Sequence, residues 1–457
     1  MASVKLEVML RLLMTRLSNL IRVRFFLAFV LFALSAIAFL DRTNISIAGL
    51  QIAEEFGLGN QRLGWIFSAF LVGYAGFQLP AGWLAARFGP RRVLTLGTIW
   101  WSVATVLVAL LPARIPGAVV FLIAIRLILG AGESVVYPAA NQFVSQWIPI
   151  RERGFVNGLI FAGVGAGSGL TPPLLNWIIA HDGWRSAFYF SAILGSAIGL
   201  VWWFTSRDMP SDQPNLSMVE LQEIEVGLAS RAFAAKNGVA VGSEALRVSW
   251  GTLFRRRDLP ALMFGYFCFG YVSWIYFSWF FLYMTQVRGF DLKSSARISM
   301  LPFLSMTLCC LAGGALSDWL TQNNGFRIGR CWIATASLLA TGAFLLLGSR
   351  VHSPLLAGVI LACGAGSLYF SQSSFWSVAI DIAGPSSGIF SSIVNMGGQI
   401  GGAVTASLTP WIAQHFGWTT SFAVAAGFAA CGGLCWVFVH PERPLIMTEV
   451  ELPVSVA

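Results

Sequence analysis

The chain has 457 residues, of which 56% are hydrophobic and only 11% are charged, with a formal net charge of +9 and a mean hydropathy of +0.73. Soluble domains carry about 25% charged residues, so this composition excludes a water-soluble globular protein. The basic residues lie in short segments between apolar stretches, a distribution that argues against nucleic-acid binding.

Apolar stretches recur along nearly the whole chain, and each is long enough to cross a hydrocarbon core of about 30 Å. The apolar runs are unbroken rather than alternating, which indicates helices and not barrel strands. We therefore predict an all-α membrane protein with twelve transmembrane helices in two six-helix halves. The predicted spans are 25–47, 62–86, 92–112, 117–147, 151–180, 184–206, 259–287, 295–321, 329–349, 353–381, 384–414 and 418–440.

One long polar connection, residues 207–258, separates the two sets of six spans and contains the triplet Arg255-Arg256-Arg257. The N-terminal segment enters the first span without a small-residue cleavage site, so we interpret it as a retained end and not as a signal peptide. The predicted organisation is a cytoplasmic N-terminus (1–24), an N-terminal half (25–206), a cytoplasmic linker (207–258), a C-terminal half (259–440) and a cytoplasmic tail (441–457).

Basic residues predict the orientation, because Lys and Arg are retained on the cytoplasmic side of a membrane. With the N-terminus inside, the cytoplasmic segments hold 20 Lys and Arg, the outer segments hold 7, and 2 lie within spans. Both termini are therefore expected in the cytoplasm. The outer loops are short and contain no glycosylation sequon, which favours a bacterial inner membrane.

The two halves resemble each other at an offset of 234 residues. Gly183-Trp184 matches Gly417-Trp418, and three glycines of the fifth span match three of the eleventh: Gly154, Gly163 and Gly167 with Gly388, Gly397 and Gly401. Several matches at one offset indicate a duplicated six-helix unit. In such proteins the substrate site forms between the two halves near the midplane.

Four charged residues are clear cases of charge inside the membrane: Asp41, Arg42, Arg126 and Glu133. Each centrally placed charge costs about 2.5–3.5 kcal/mol to insert, so such residues tend to be interior, paired and functional. Arg126 and Glu133 are seven residues apart, or about 10 Å along one helix. Each is therefore expected to find its partner on a neighbouring helix, with Arg42 and Asp41 as candidates.

The two arginines are suited to bind an anion, and the two carboxylates are suited to bind and release a proton. The planar fork of a guanidinium donates two parallel hydrogen bonds to a carboxylate, and a carboxylate in a low-dielectric cavity can exchange a proton. The alternative is a structural ion cluster that joins the first and fourth spans. The second half has no equivalent charges, so we expect neutral groups there to contact the body of the substrate: Gln372, Ser374, Trp376 and Asn395.

The stretch Gly82-Trp83-Leu84-Ala85-Ala86-Arg87-Phe88-Gly89-Pro90-Arg91-Arg92 resembles the loop signature of the major facilitator superfamily. The resemblance implies a conformational role for Gly82, Arg87, Gly89, Arg91 and Arg92. The signature normally has Asp where this chain has Ala86, whereas Asp318 supplies the corresponding carboxylate in the second half.

Within that superfamily, Leu40-Asp41-Arg42-Thr43-Asn44-Ile45-Ser46, the segment Arg126–Pro138 and Phe375-Trp376 ahead of Asp381 resemble the anion:cation symporter family. Its members include importers of sugar acids and aromatic acids. The resemblance implies that Arg42 contacts the substrate anion, that Asp41 and Glu133 carry protons, and that Arg126 pairs with Glu133. It also implies that Tyr74 faces the substrate.

The sequence thus predicts a monomeric importer of a small organic anion, a sugar acid or other carboxylate, driven by proton symport with alternating access. An exchanger or uniporter, or a membrane sensor built on the transporter fold, are the alternatives. An enzyme is disfavoured because no nucleophile and base set or metal cluster stands out, and no cofactor or metal is expected. The expected partners are the anion, protons and the lipid bilayer.

Overall fold

A computed structural model describes residues 22–234, 256–290 and 292–443. Most of the predicted N-terminal segment, the predicted linker from 235 to 255, including Arg255, and the tail from 444 lie outside the described residues. The described secondary structure is helical throughout, which confirms the predicted fold class.

Nine α-helices of the described chain lie between Val23 and Thr205, and we call them the N-terminal helices. They are α1 (Val23–Ile47), α2 (Gly49–Phe56), α3 (Asn60–Gly76), α4 (Gln78–Phe88), α5 (Pro90–Leu110), α6 (Ala118–Glu133), α7 (Val136–Trp147), α8 (Arg153–Asp182) and α9 (Trp184–Thr205). A further helix, α10 (Met218–Ala234), lies in the linker.

The C-terminal helices run from Asp258 to Phe438. They are α11 (Asp258–Ser278), α12 (Leu292–Asn324), α13 (Ile333–Arg350), α14 (Pro354–Phe370), α15 (Gln372–Ala383), α16 (Ser387–Phe416) and α17 (Trp418–Cys435). One helical turn and a π-helix, Tyr283–Val287, follow α11 in the chain, and a second π-helix, Arg327–Trp332, precedes α13.

Within the described ranges, ten segments are long and apolar enough to cross a membrane, or eleven when the bent pair α3 and α4 counts as one span. One of the ten, Pro354–Phe416, has 63 residues, which at 1.5 Å per residue is about three times the hydrocarbon thickness. It contains the two legs α14–α15 and α16, separated at Gly384, whose φ is 53°. Counting these legs separately gives the twelve predicted crossings.

Three predicted spans are interrupted. The second bends by 44° between α3 and α4, the fourth breaks between α6 and α7, and the tenth breaks at Ser371 between α14 and α15. Broken helices are tolerated at membrane depth where other helices or a cavity satisfy the released backbone groups. The last two breaks lie at matching places in the repeat and flank the cavity described below.

Close helix contacts join the N-terminal and C-terminal helices at two matching glycine pairs. A Cβ on Gly154 of α8 would lie 2.7 Å from the carbonyl oxygen of Gly314 on α12, and a Cβ on Gly82 of α4 would lie 2.6 Å from that of Gly388 on α16. Small residues let membrane helices approach closely. The α8–α12 and α4–α16 crossings therefore fix how the two sets of helices meet.

The linker helix α10 packs under the start of α1. Both carboxylate oxygens of Glu220 accept hydrogen bonds from the backbone N–H groups of Val23 and Arg24, each at 3.1 Å. The buried Arg24 guanidinium pairs with Glu152 at 2.8 Å and with Glu223 at 3.0 Å. The part of the linker that forms α10 is therefore held against the N-terminal helices by hydrogen bonds and ion pairs.

Candidate functional site

A cavity lies between the N-terminal and C-terminal helices, with a volume of about 50 Å³, which holds a few water molecules. Its wall on the N-terminal side comes from α1, α7 and α8: Phe39, Arg42, Tyr137, Phe161 and Val164. On the C-terminal side the polar wall residues are Tyr266, Ser273, Tyr369, Gln372, Asn395 and Gln399. The cavity thus combines aromatic walls, neutral polar groups and one guanidinium.

Arg42 is held in place from three directions. Its Nε donates to Oε2 of Glu133 at 2.6 Å, and its guanidinium carbon lies 4.6 Å from the ring centre of Phe39 and 4.5 Å from that of Tyr74. The Nη2 atom is buried and has no hydrogen-bond partner among the described residues. The guanidinium therefore has hydrogen-bonding capacity that no described group uses, and the Arg42 side chain lines the cavity.

The other three intramembrane charges lie behind Arg42, within the N-terminal helices, and none faces the lipid. Asp41 and Arg126 are each 2% exposed and Glu133 is fully buried. Oδ2 of Asp41 accepts from Thr105 Oγ1 on α5 at 2.8 Å, and the Arg126 guanidinium lies 4.9 Å from the centre of the Phe70 ring. Of the four charged residues, Arg42 lines the cavity and the other three do not.

The partner of Glu133 differs from the one that the family resemblance implied. Glu133 pairs with Arg42, whereas Arg126 forms no ion pair within 4 Å with any residue that the structure describes. Two turns of α6 separate Arg126 from Glu133, as the spacing required. Arg126 instead lies within electrostatic range of both Asp41 and Glu133.

The expected C-terminal residues divide into two groups. Gln372 and Asn395 line the cavity. Trp376 packs against its aromatic wall, with ring centres 4.7 Å from Phe161 and 5.7 Å from Tyr137. Ser374 is fully buried, does not line the cavity, and its Oγ has no hydrogen-bond partner among the described residues.

Tyr74 lies behind the cavity and not on its surface. Its hydroxyl accepts from Nδ2 of Asn395 at 3.4 Å, and the same Nδ2 donates to Oε1 of Gln78 at 3.1 Å. Because the Tyr74 ring also stacks on Arg42, it joins the charged cluster to the C-terminal helices.

Among the cavity residues that the sequence reasoning missed are two tyrosines, Tyr137 and Tyr266. The Tyr266 hydroxyl accepts from Nε2 of Gln372 at 2.9 Å and from Nε1 of Trp376 at 3.3 Å. The Tyr137 hydroxyl hydrogen-bonds with Ser35 at 2.9 Å, and its ring stacks on Phe161 at 4.6 Å. Nothing in their local sequence separates these tyrosines from other buried aromatic residues.

At one end of the bundle, hydrogen bonds and an ion pair join the two sets of helices. We call this end, which carries Arg153, Asp208 and Asp318, the linker face. Asp318 accepts from the backbone N–H groups of Gly154 and Phe155 at 2.8 and 2.7 Å and pairs with Arg330 at 2.8 Å. Its carboxylate therefore lies at the N-terminus of α8, where negative charge is favoured.

A second buried contact at the linker face joins Arg153 of α8 to Asp381 of α15, with Nη1 and Oδ1 2.9 Å apart. Hydrogen bonds and ion pairs between described residues of the two sets of helices lie at the linker face or at mid-depth. The linker face is therefore closed in this structure.

The matching crossing at α16 carries no charge. Ala86 follows Gly82 by one turn, as Asp318 follows Gly314, so the carboxylate is missing here. Instead Oε1 of Gln142 accepts from the backbone N–H of Gly388 at 3.0 Å, and its Nε2 donates to Pro385 O at 3.0 Å. A neutral amide thus occupies the N-terminus of α16.

The remaining loop-signature residues have local roles. Gly89 connects α4 to α5 with a φ of 84°, which glycine adopts without a steric penalty. The backbone N–H of Arg91 donates to Asp208 at 2.9 Å, and the Arg91 guanidinium lies 4.1 Å from the centre of the Trp203 ring. Arg87 and Arg92 are exposed.

Comparison with known proteins identifies the family. The sequence profile of the Major Facilitator Superfamily matches residues 31–391 and 325–449. The chain is 31% identical over 407 residues to the probable sulfoacetate transporter SauU of Cupriavidus necator, covering 89% of this chain and 91% of that protein. It is 27% identical over 427 residues to the probable galactarate/D-glucarate transporter GudP of Escherichia coli, covering 91% and 90%.

A solved structure shares the fold. The proton:xylose symporter XylE, solved with bound 6-bromo-6-deoxy-D-glucose, superposes with a TM-score of 0.71 at 16% identity and covers 92% of this chain and 97% of that chain. Both sequence relatives are named as transporters and neither as an enzyme. With a profile match across most of its length and a relative 31% identical over 89% of it, the chain belongs to the Major Facilitator Superfamily of membrane transporters.

Proposed function

We propose that this protein is a secondary active transporter that imports a small organic anion, a sugar acid or other carboxylate, by proton symport with alternating access. The observation that carries the proposal is the position of Arg42. It is the only one of the four intramembrane charges that reaches the cavity between the two sets of helices, and a buried carboxylate, Glu133, holds it from behind.

The names of the relatives agree with this chemistry. Sulfoacetate, galactarate and D-glucarate, the compounds named for SauU and GudP, all carry carboxylates. An arginine fork binds a carboxylate through paired, charge-assisted hydrogen bonds. A cavity with one available guanidinium therefore favours an anionic substrate over a neutral sugar.

The ion pair between Arg42 and Glu133 couples anion and proton in the proposed mechanism. In the empty site, Glu133 neutralises Arg42. When a carboxylate binds to Arg42, Glu133 loses part of that stabilisation while remaining fully buried, and a buried charge without a full partner is strongly disfavoured. Proton uptake by Glu133 relieves this cost, so anion binding favours proton binding.

Asp41 and Arg126 extend the same proposal. Asp41 is buried, and its Oδ1 has no hydrogen-bond partner among the described residues. Two carboxylates and two guanidiniums in one cluster are neutral overall, and they make a second proton site available at Asp41. We assign Asp41 and Glu133 as proton carriers and Arg126 as the cation that stabilises both in their charged forms.

The closed linker face supports alternating access. Opening the linker face would separate Arg153 from Asp381 and Asp318 from the N-terminus of α8. The cavity would then be accessible from that side of the membrane. By the distribution of basic residues, the linker face is cytoplasmic in our proposal, with both termini on the same side. The protein would then act as a monomer in a bacterial inner membrane.

Uptake into proteoliposomes tests the proposal. Purified protein is reconstituted, a proton gradient is imposed with the acidic side outside, and accumulation of radiolabelled sulfoacetate, galactarate, D-glucarate and aromatic acids is followed. We expect at least one of these anions to accumulate above equilibrium and to be released by a protonophore. Uptake that does not depend on the proton gradient would favour an exchanger or uniporter, and binding without uptake would favour a sensor.

A further inference from the structure

Four arginines lie close together at the linker face, and we call them the arginine group. They are Arg87 at the end of α4, Arg91 and Arg92 at the start of α5, and Arg207 just after α9. Both Arg92 and Arg207 lie within electrostatic range of Arg91. Only Gly89 separates α4 from α5, so Arg87 is close to the start of α5. None of the four forms an ion pair within 4 Å with any residue that the structure describes.

This lack of partners is not a general property of arginines at the linker face. Arg24, for example, pairs with Glu152 at 2.8 Å. Asp208 follows Arg207 in the chain, but its Oδ1 accepts from the backbone N–H of Arg91 at 2.9 Å, so its carboxylate is used at the N-terminus of α5. Four guanidiniums around this one carboxylate leave a local excess of positive charge.

Two members of the arginine group lie at the ends of helix faces that are exposed and apolar. On α5 the large exposed side chains recur every three or four residues, which places them on one face: Leu96, Trp100, Val103 and Leu107. Arg92 precedes Leu96 by four residues and is also exposed, so it continues this face at the linker end. On α4 the exposed Trp83 precedes the exposed Arg87 by four residues in the same way. Acyl chains cover such apolar faces in a membrane, so both arginines lie where the headgroups begin.

We propose that the arginine group binds the headgroup phosphate of an anionic phospholipid in the leaflet at the linker face. Guanidiniums bind phosphate through paired, charge-assisted hydrogen bonds, and arginines next to a membrane surface attract anionic lipids. The acyl chains of the same molecule cover the apolar faces of α4 and α5, which a soluble phosphate cannot do. A zwitterionic lipid brings an ammonium group to a site with excess positive charge, so it binds more weakly.

Native mass spectrometry of delipidated protein in detergent tests this inference. The protein is titrated with dioleoyl phosphatidylglycerol and, separately, with dioleoyl phosphatidylcholine. No transported anion is added, so the result does not depend on the proposed transport. We expect the wild type to bind phosphatidylglycerol about tenfold or more tightly than phosphatidylcholine. Arg87→Gln and Arg92→Gln should each weaken binding of phosphatidylglycerol by about fivefold and leave binding of phosphatidylcholine unchanged.

Arg151→Gln is the matched control. Arg151 is also exposed at the linker face, but it lies on the turn between α7 and α8, where its carbonyl oxygen accepts from Gln322 of α12 at 3.1 Å. Because this turn lies where the two sets of helices meet, the variant should bind phosphatidylglycerol as the wild type does. An equal loss in Arg151→Gln would show a response to net charge alone and would overturn the inference.

Two results with the wild type would also overturn it. One is equal affinity for phosphatidylglycerol and phosphatidylcholine. The other is displacement of phosphatidylglycerol by sn-glycerol 3-phosphate at a similar concentration, because this compound carries the phosphate without acyl chains. The arginine group would then be a site for a soluble anion and not for a lipid.

Discussion

Replacing Arg42 with lysine keeps the charge but removes the geometry on which the proposed site depends. Arg42 pairs with Glu133 through Nε, its Nη2 has no hydrogen-bond partner among the described residues, and its guanidinium carbon lies 4.6 and 4.5 Å from the ring centres of Phe39 and Tyr74. A lysine ammonium is a single point charge. It can stay with Glu133 or approach an anion, but it cannot present a planar fork to one while holding the other.

The expected cost follows from the lost contacts. A hydrogen bond to a charged group contributes about 1.5–3 kcal/mol, so losing one to the substrate should weaken its affinity by about 10- to 150-fold. Initial uptake rates over a range of substrate concentrations in proteoliposomes measure this change. We expect KM to rise by that factor for every carboxylate that the wild type transports.

Arg185→Lys is the control for this substitution. Arg185 also forms a forked pair with a carboxylate, its two Nη atoms lying 2.6 and 2.7 Å from the oxygens of Glu55, but it lies away from the cavity. Its uptake should match that of the wild type. If Arg42→Lys also transports with near-normal affinity, a point charge suffices at this position and the bidentate contact is refuted.

Three further outcomes are expected. Glu133→Gln should abolish accumulation of substrate against a gradient. It should retain exchange of labelled for unlabelled substrate in a counterflow assay, because a neutral side chain still permits the loaded carrier to change conformation. Continued accumulation would exclude Glu133 as a proton carrier. Wild-type import of a monoanion should carry net positive charge inward, since we propose that two protons enter with it. Each charge that crosses the membrane responds to the potential by about 2.3 kcal/mol per 100 mV. Electrical recording that finds no current would contradict co-transport of a second proton. Ala86→Asp should add a carboxylate near the N-terminus of α16 and slow the maximal uptake rate by about two- to fivefold at unchanged KM. The neutral variant Ala86→Asn should leave the maximal rate unchanged. Equal rates for both variants would show that charge at this crossing is unimportant.

The last of these outcomes reflects an asymmetry in how the linker face is held closed. At α8 a carboxylate, Asp318, accepts from the helix N-terminus and pairs with Arg330. At α16 the amide of Gln142 makes the corresponding contact. Because charge-assisted hydrogen bonds are stronger than neutral ones, the α4–α16 crossing is the weaker of the two, and we expect it to separate first when the linker face opens.

The sequence by itself determined the features that depend on short stretches of chain. The length of each apolar run predicted the number of crossings, the duplicated glycines indicated a repeated six-helix unit, and rare charges inside spans identified the candidate site. Each of these can be derived without knowing which helices are neighbours, because the cost of an exposed backbone or a charge in hydrocarbon is a property of the segment.

Only the tertiary structure decided which side chains meet. It paired Glu133 with Arg42 and not with Arg126, placed Tyr266 on the cavity wall and Tyr74 behind it, and brought Gln142 to the N-terminus of α16. These contacts depend on the rotation and crossing of each helix. Both are fixed by close contacts such as Gly82 with Gly388, between residues about 300 positions apart, so no local pattern around Glu133, Tyr266 or Gln142 specifies their partners.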